Sequence, residues 1–405
     1  MKVKIIKGSH QIGGCITEIK TEKAKIIIDF GKELDEEKNV EIKGLTKGPP
    51  TYDAVFITHS HKDHIGLIDT ILESIPIYVE PVSEKINHLL NEFTNPQKIK
   101  KQTLPFNYKE SIKIKDLTIT PYLVDHSSYN ASMFLIESKG KKILHTGDFR
   151  NHGKKGPLFL KTIKEIGAVD LMITEGTTLG RKSEKVMTED ELSHKATEIF
   201  KKYDQIFILQ ASTNIDRITS FYKASLKTGK NFIEDLFTAT VTTNIKNKKI
   251  PNPNAFKNVY VWLPTKYLHK DHQFKETYLR PLKKYCNKRA YEKNKYTLMV
   301  KTSMIEDIKK LYEKNRITNA CLIYSMWGGY EEKEEIKNFI KGIKKYGIHD
   351  KIDLHTSGHA SRKTIEILNK LKAKKVIPIH TTNAQELKAI LNNVYLIKDE
   401  EEIEV

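Results

Sequence analysis

Cysteine is scarce in this chain: Cys15, Cys286 and Cys321 are the only three in 405 residues. They are widely spaced and form no CxxC pair, which excludes a disulfide framework and fits a reducing compartment, so the cytoplasm is the expected location. Long apolar runs are also missing. None approaches the ~20 residues that cross a bilayer. The start, MKVKIIKGSH, enters a strand-like pattern with no apolar leader, so neither a membrane partner nor an export signal is expected. Arginine is rare beside lysine, yet the formal net charge is +18. A general lysine bias accounts for part of that excess, but the charge is unevenly placed. Residues 241–300 are crowded with Lys and Arg against only Asp271, Glu276 and Glu292. Aromatic residues from Phe256 to Tyr296 are threaded through the same segment. Lysines follow phosphates and aromatic rings stack on unpaired bases, so the segment suggests nucleic acid, although some of these rings belong to a core.

An apolar content of 39% with 30% charged residues describes a globular protein long enough for two or three domains. Up to Glu175 the chain alternates short β-rich runs with Gly, Pro and Asp turns, as in KIIIDFG, AVFITH, YLVDH and KILHTGDF. Helical spacing appears at IGLIDTILESI and SEKINHLLNEF. Many strands with a few helices argue for a sheet-rich layered fold. The texture then changes: Thr188 followed by Glu191 is a capping-box signature, and strands alternate with helices, two of them near 305–315 and 331–346. From about 352 the β-rich texture returns. The simplest organisation is one domain, 1–178 and 351–405, split by an inserted α/β domain at 179–350.

The most telling stretch is His59-Ser-His61-Lys-Asp63-His64, directly after the apolar run Ala54-Val55-Phe56-Ile57. In an extended segment His59 and His61 point the same way, while Asp63 and His64 open the helix that IGLIDTIL continues. Neutral imidazole suits zinc and the carboxylate adds an anion, so the spacing makes two half-sites a few ångströms apart. A pair of metals needs more ligands, and strand ends offer them. His126 follows an apolar run in YLVDHSS. Asp148 follows another in ILHTGDF and is a natural bridge between two cations. Asp29, ending KIIIDFG, either orients a ligand histidine or caps the turn before Gly31.

These motifs carry a resemblance. HSHKDH, the HS of DHSSYNAS, and TGDFR resemble the metallo-β-lactamase superfamily. TEGTTLG with Glu175, HTSGHAS with His359, and IPIHTT with His380 resemble motifs A, B and C of its β-CASP nucleases, and ribonuclease J in particular. The resemblance implies an αββα sandwich with an inserted α/β β-CASP domain. It implies two Zn²⁺ per chain: one on His59, His61 and His126, the other on Asp63, His64 and His380, with Asp148 bridging. Glu175 would orient a ligand histidine, and Ser357 and His359 would face the scissile phosphate. A histidine at motif C goes with the RNA-processing members. About 25 residues follow His380, too few for the further C-terminal domain that ribonuclease J usually carries.

The expected activity is therefore hydrolysis of RNA phosphodiester bonds, endo- or 5′-exonucleolytic, by water activated between two zinc ions. Asp63, Asp148, Glu175 and His359 are the candidate catalytic set, with His359 as proton donor to the leaving group. His355 alternates with Ser357 and His359 and is a candidate phosphate contact. Single-stranded RNA is the implied partner, DNA the alternative, and a homodimer a further option. A small-molecule hydrolase of the superfamily would lack the insertion and the SGHA and PIHT motifs. Of the other histidines, His145 reads as core. His269 and His272 beside Asp271 read as a solvated loop rather than a third metal site. Trp327 reads as interdomain packing rather than a base platform.

Overall fold

The computed structural model describes residues 1–34, 40–94, 101–181 and 186–405. The chain divides into two units, Met1–Val186 with Gly358–Val405, and Met187–Ser357.

The first unit is built on two sheets. One runs in the order Glu402–Glu404, Lys2–Lys7, Ile16–Lys20, Lys25–Ile28, Ala54–Phe56, Ile77–Val79, Leu104–Pro105. The other runs Lys375–Ile379, Leu171–Glu175, Lys141–His145, Ala131–Ser138, Leu117–Val124, Ile112–Ile114. Their inner faces share one core: Val3, Ile26, Ala54 and Phe56 meet Ile119, Phe134, Ile173 and Ile377, all fully buried. The second sheet's outer face is covered by the helix Gly156–Ile166 and by Arg362–Glu366 with its 3₁₀ continuation Ile367–Leu371. The first sheet's outer face is covered by residues 65–75. The result is the αββα layering, each sheet hiding one face on its partner; the outer layer is helical on the second sheet and only partly so on the first.

Residues 65–75 do not form the long helix their spacing predicts. Only Lys62–Ile65 is α-helical, followed by a 3₁₀ turn at Ile68–Thr70. The physical reason is competition for backbone donors. Leu67 N–H bonds to Phe30 O and Leu72 N–H to Leu45 O, so neighbouring segments take the bonds a helix needs. Ile65, Leu67, Ile68, Ile71 and Ile75 are all buried on the sheet regardless.

The second unit is a six-stranded sheet in the order Val259–Trp262, Asn231–Asp235, Tyr296–Val300, Gln205–Leu209, Ala320–Tyr324, Asp350–Asp353, every pairing parallel. Its central strands are buried along their whole length, as expected when helices cover both faces of a parallel sheet. The capping box at Thr188 and Glu191 opens the helix Glu189–Lys202 as read from sequence. The helices expected near 305–315 and 331–346 are Ile305–Glu313 and Glu334–Ile343. Much of the aromatic content of 241–300 is core: Tyr267, Tyr278 and Tyr296 are buried, and Trp262 and Tyr291 pack against the core cluster. The aromatic half of the nucleic-acid signal there is thereby weakened. Among the described residues no helix is long and apolar enough to cross a membrane.

Candidate functional site

In the first unit the chemistry-bearing residues sit where strands run out. His59 and His61 follow Ala54–Phe56, His126 follows Leu117–Val124, Asp148 follows Lys141–His145, Glu175 ends its strand, and His380 follows Lys375–Ile379. His359 lies in the turn before Arg362–Glu366, whose N-cap is the Ser361 hydroxyl. Two sheets packed face to face bring these ends together at one edge.

His59 Nε2 and His126 Nε2 stand 3.1 and 3.2 Å from His61 Nδ1. On the other side Asp63 Oδ2 lies 3.1 Å from His380 Nε2 and 4.0 Å from His64 Nε2. Asp148 Oδ2 belongs to both groups. It is 3.4 Å from His64 Nε2, 3.9 Å from His380 Nε2, 3.9 Å from His126 Nε2 and 4.0 Å from His59 Nε2. Except for His61 and the rim of Asp63, these side chains are almost wholly buried.

The hydrogen bonds behind the rings fix which nitrogen faces inward. His64 Nδ1 lies 2.7 Å from Asp29 Oδ2, so it donates there and leaves the Nε2 lone pair toward Asp148. The Thr58 hydroxyl gives its one proton to Asp29, at 2.8 Å from Oδ2, so the contact with His59 Nδ1 at 3.0 Å has the imidazole donating. Thr177 repeats the device: its hydroxyl donates to Glu175 Oε2 at 2.6 Å and accepts from His380 Nδ1 at 2.7 Å. All three rings therefore turn Nε2 to the centre, and in the neutral form that nitrogen is bare, the pattern by which outer partners orient metal ligands. Asp29 and His380 hold left-handed backbone, at φ +61° and +54°, a strained conformation tolerated where the surroundings over-determine it.

Lone pairs facing one another at such distances repel unless something positive lies between them. Nitrogens bound at 2.0–2.1 Å to one tetrahedral ion stand about 3.3 Å apart, close to the spacing of the His59, His61 and His126 nitrogens. His64 Nε2 and Asp148 Oδ2 are buried with no hydrogen-bond partner among the described residues. The donor set is imidazole and carboxylate, suited to a divalent cation. These residues fit a metal.

Electrostatics divide the cluster. Asp148, Asp29 and Asp63 overcome burial and raise the His64 pKa, so without a cation between them His64 carries the balancing proton, whereas the other group is neutral. Burial and the neighbouring imidazoles push His59 and His126 well below the ordinary histidine value, and burial takes His61 down to about 4, so all three are neutral, the ligand form. Burial opposes ionisation of Asp63, but His64 and His380 outweigh it and hold the carboxyl well below its usual range. For Asp148, His380 and His64 likewise overcome burial. His359 Nδ1 lies 3.3 Å from both Asp148 Oδ2 and Glu175 Oε2. Burial works against its proton, yet Glu175, Asp148 and Asp63 outweigh that and raise its pKa.

Two sequence expectations change in detail. Glu175 does not touch a ligand histidine directly; Thr177 stands between it and His380, while Glu175 itself faces His359 and accepts from Phe149 N–H at 2.9 Å. His355 and Ser357 belong to the second unit. There His355 Nδ1 lies 3.3 Å from the Arg217 guanidinium, which also grips Glu189. His145 is core as read: Gly147 N–H donates to its Nδ1 at 3.2 Å, and Nε2 faces Thr17. His272 is exposed, and among the described residues no metal-capable cluster forms with His269. Trp327 stays half exposed, edge-on to Tyr330. Sequence reasoning missed Thr58, Thr177 and Cys15, the last of which lies beside His64 and His380.

Known proteins bear on this arrangement. The model of the β-lactamase superfamily domain matches residues 25–204. Ribonuclease J of Helicobacter pylori is 24% identical over 448 aligned residues, covering 100% of this chain and 61% of that protein. The probable RNase MJ4 of Methanocaldococcus jannaschii is 30% identical over 35% of this chain and 37% of its own length. The chain thus spans about three fifths of the length of the Helicobacter relative. In fold it matches the crystal structure of a protein of unknown function from Enterococcus faecalis V583, with TM-score 0.77, 20% identity and 99% of both chains covered. The layered fold, the order of the motifs and these relatives agree: the chain is similar to the β-lactamase superfamily domain over residues 25–204 and, over the chain's whole length, to ribonuclease J.

Proposed function

We propose that this chain is a metal-dependent nuclease that hydrolyses RNA phosphodiester bonds and holds two zinc ions. The observation that carries the reading is the shared oxygen: Asp148 Oδ2 stands within 4.0 Å of the facing nitrogens of His59 and His126 on one side and of His64 and His380 on the other. His59, His61 and His126 would hold one ion, Asp63, His64 and His380 the second, and Asp148 both. When bound, such a pair supplies Lewis acidity toward a phosphoryl oxygen and lowers the pKa of water.

The chain's own residues do the rest. Asp29, Thr58 and Thr177 keep the ligand rings in one orientation. His359, its proton favoured by Glu175 and Asp148, is assigned the donation to the departing 3′-oxygen, and Glu175 aligns it. Ser357 and His355 are kept as proposed phosphate contacts on the strength of the HTSGHAS motif alone. His380 at motif C and the ribonuclease names of the relatives favour RNA over DNA.

The test is incubation of the purified chain with end-labelled single-stranded RNA and DNA, bearing 5′-hydroxyl or 5′-monophosphate, with and without chelator. Cleavage of RNA that stops on chelation and returns with zinc is the expected result. Cleavage of DNA alone, or cleavage indifferent to chelator, overturns the reading. The product ladder distinguishes internal cuts from processive 5′ attack.

A further inference from the structure

His126 and Asp148 must be placed against each other, but the sheet does not do it directly. They follow the strands Leu117–Val124 and Lys141–His145, which are not neighbours: Ala131–Ser138 lies between them. One residue reaches across. Asp125, immediately before His126, accepts from Arg150 N–H through its carbonyl at 2.6 Å, in an isolated antiparallel bridge. Its carboxylate accepts from Gly153 N–H at 2.6 Å and stands 3.3 Å from Arg150 Nε. Arg150 is two residues beyond Asp148, so backbone and side chain of Asp125 both fasten the turn that carries the bridging carboxylate.

Both side chains of the pair are fully buried. Desolvation offsets most of the attraction in such a pair, and apolar groups of the same size often serve stability equally well. Its contribution is geometric. Gly153 is shaped to it: a Cβ there would fall 2.3 Å from Asp125 Oδ1 and 2.5 Å from Arg150 Nη2. Metal ligands tolerate displacements of only about half an ångström, and His126 Nε2 has to meet both His61 Nδ1 at 3.2 Å and Asp148 Oδ2 at 3.9 Å.

We infer that the buried Asp125–Arg150 pair is a positioning clamp, which sets His126 against Asp148 and so governs metal affinity at the His59, His61 and His126 group. The inference rests on the metal-centre reading above. It is tested by titrating metal-stripped protein with Co²⁺, followed by visible absorbance, alongside thermal melts of the metal-free forms. The parent takes up two ions. In the Asp125→Asn, Arg150→Met double variant the metal-free melting temperature is unchanged or higher, while one of the two ions binds at least about tenfold more weakly. Arg150→Lys, which keeps the charge without the planar fork, gives the same selective loss in smaller measure.

Parental affinity for both ions in the double variant overturns the clamp. So does a fall in the metal-free melting temperature with equal weakening at both positions, which would mark a merely structural role; if the double variant does not fold, Arg150→Lys decides on the same criteria. A parent chain that takes up no Co²⁺ overturns the metal-centre reading instead.

Discussion

Asp29 Oδ2 lies 2.7 Å from His64 Nδ1, and this one contact decides which nitrogen of His64 is left to bind. Replacing the carboxylate frees the ring to flip and leaves a buried N–H unpaired. Asp29→Ala is therefore expected to lose roughly 10–100-fold in metal affinity, read by competition with a chromophoric chelator. Thr177→Val cuts the corresponding link between Glu175 and His380, and a loss of similar size is expected. Parental affinity in both variants would show that the rings need no such support.

Asp148→Asn tests the shared oxygen. An amide can face one cation but cannot serve two as an anion, so metal content falls below two per chain and RNA cleavage is abolished. Elemental analysis and a cleavage assay on the same preparation check it; a fully active variant with both ions refutes the bridge.

His359→Ala separates chemistry from metal binding. Both ions and RNA affinity are retained, while cleavage slows by roughly 10²–10³. Because the neighbouring carboxylates raise the His359 pKa, the parent's rate is lost as pH rises through that value, and the variant lacks this alkaline limb. Metal loss in the variant would reassign His359 as a ligand.

Lys283, Lys288 and Arg289 are exposed in the basic segment of the second unit. Reversing all three to Glu is expected to weaken RNA binding and to lower the slope of log K against log salt, by about one for each phosphate no longer neutralised. An unchanged slope returns the charge of this segment to overall lysine bias.

Glu234, in the second unit, sets a pH dependence of stability. It is fully buried, one oxygen accepts from Thr242, and the other has no partner among the described residues. Burial raises its pKa well above the ordinary 4.5. The native state then keeps a proton that the unfolded chain has released, so its contribution is complete below about pH 4.5 and is lost as pH rises toward the folded value. Glu234→Gln should raise the melting temperature more at pH 8 than at pH 4; equal shifts at both would remove ionisation from the explanation. His145 has the opposite sign. Burial lowers it to about 4, so its contribution is present above about pH 6.5 and is lost toward pH 4.

The layered fold and the clustering of the proposed ligands were legible because their signals are local. HSHKDH packs four groups able to ligate a metal into six positions, and His126, Asp148 and His380 each close an apolar run that forms a strand. Thr58, Thr177, Asp125 and Arg150 were not legible. A threonine or an Asp–Arg pair is common anywhere, and only the meeting of distant strand ends gives these their tasks. The helix expected at 65–75 gave way to Phe30 and Leu45, remote acceptors that no local pattern announces. The rings of 241–300 are a compositional signal that burial reinterprets: aromatics mark a hydrophobic core as readily as a stacking surface.

The first unit is discontinuous, and this has a consequence for biosynthesis. Six of the seven proposed ligands, up to Asp148, leave the ribosome before the second unit is made, whereas His380 follows it. The Asp63–His380 contact spans 317 positions of sequence. A nascent chain therefore carries an incomplete set of the proposed ligands throughout synthesis of the entire insertion, and the set is completed only after the last strand of the second sheet, Lys375–Ile379, has been made.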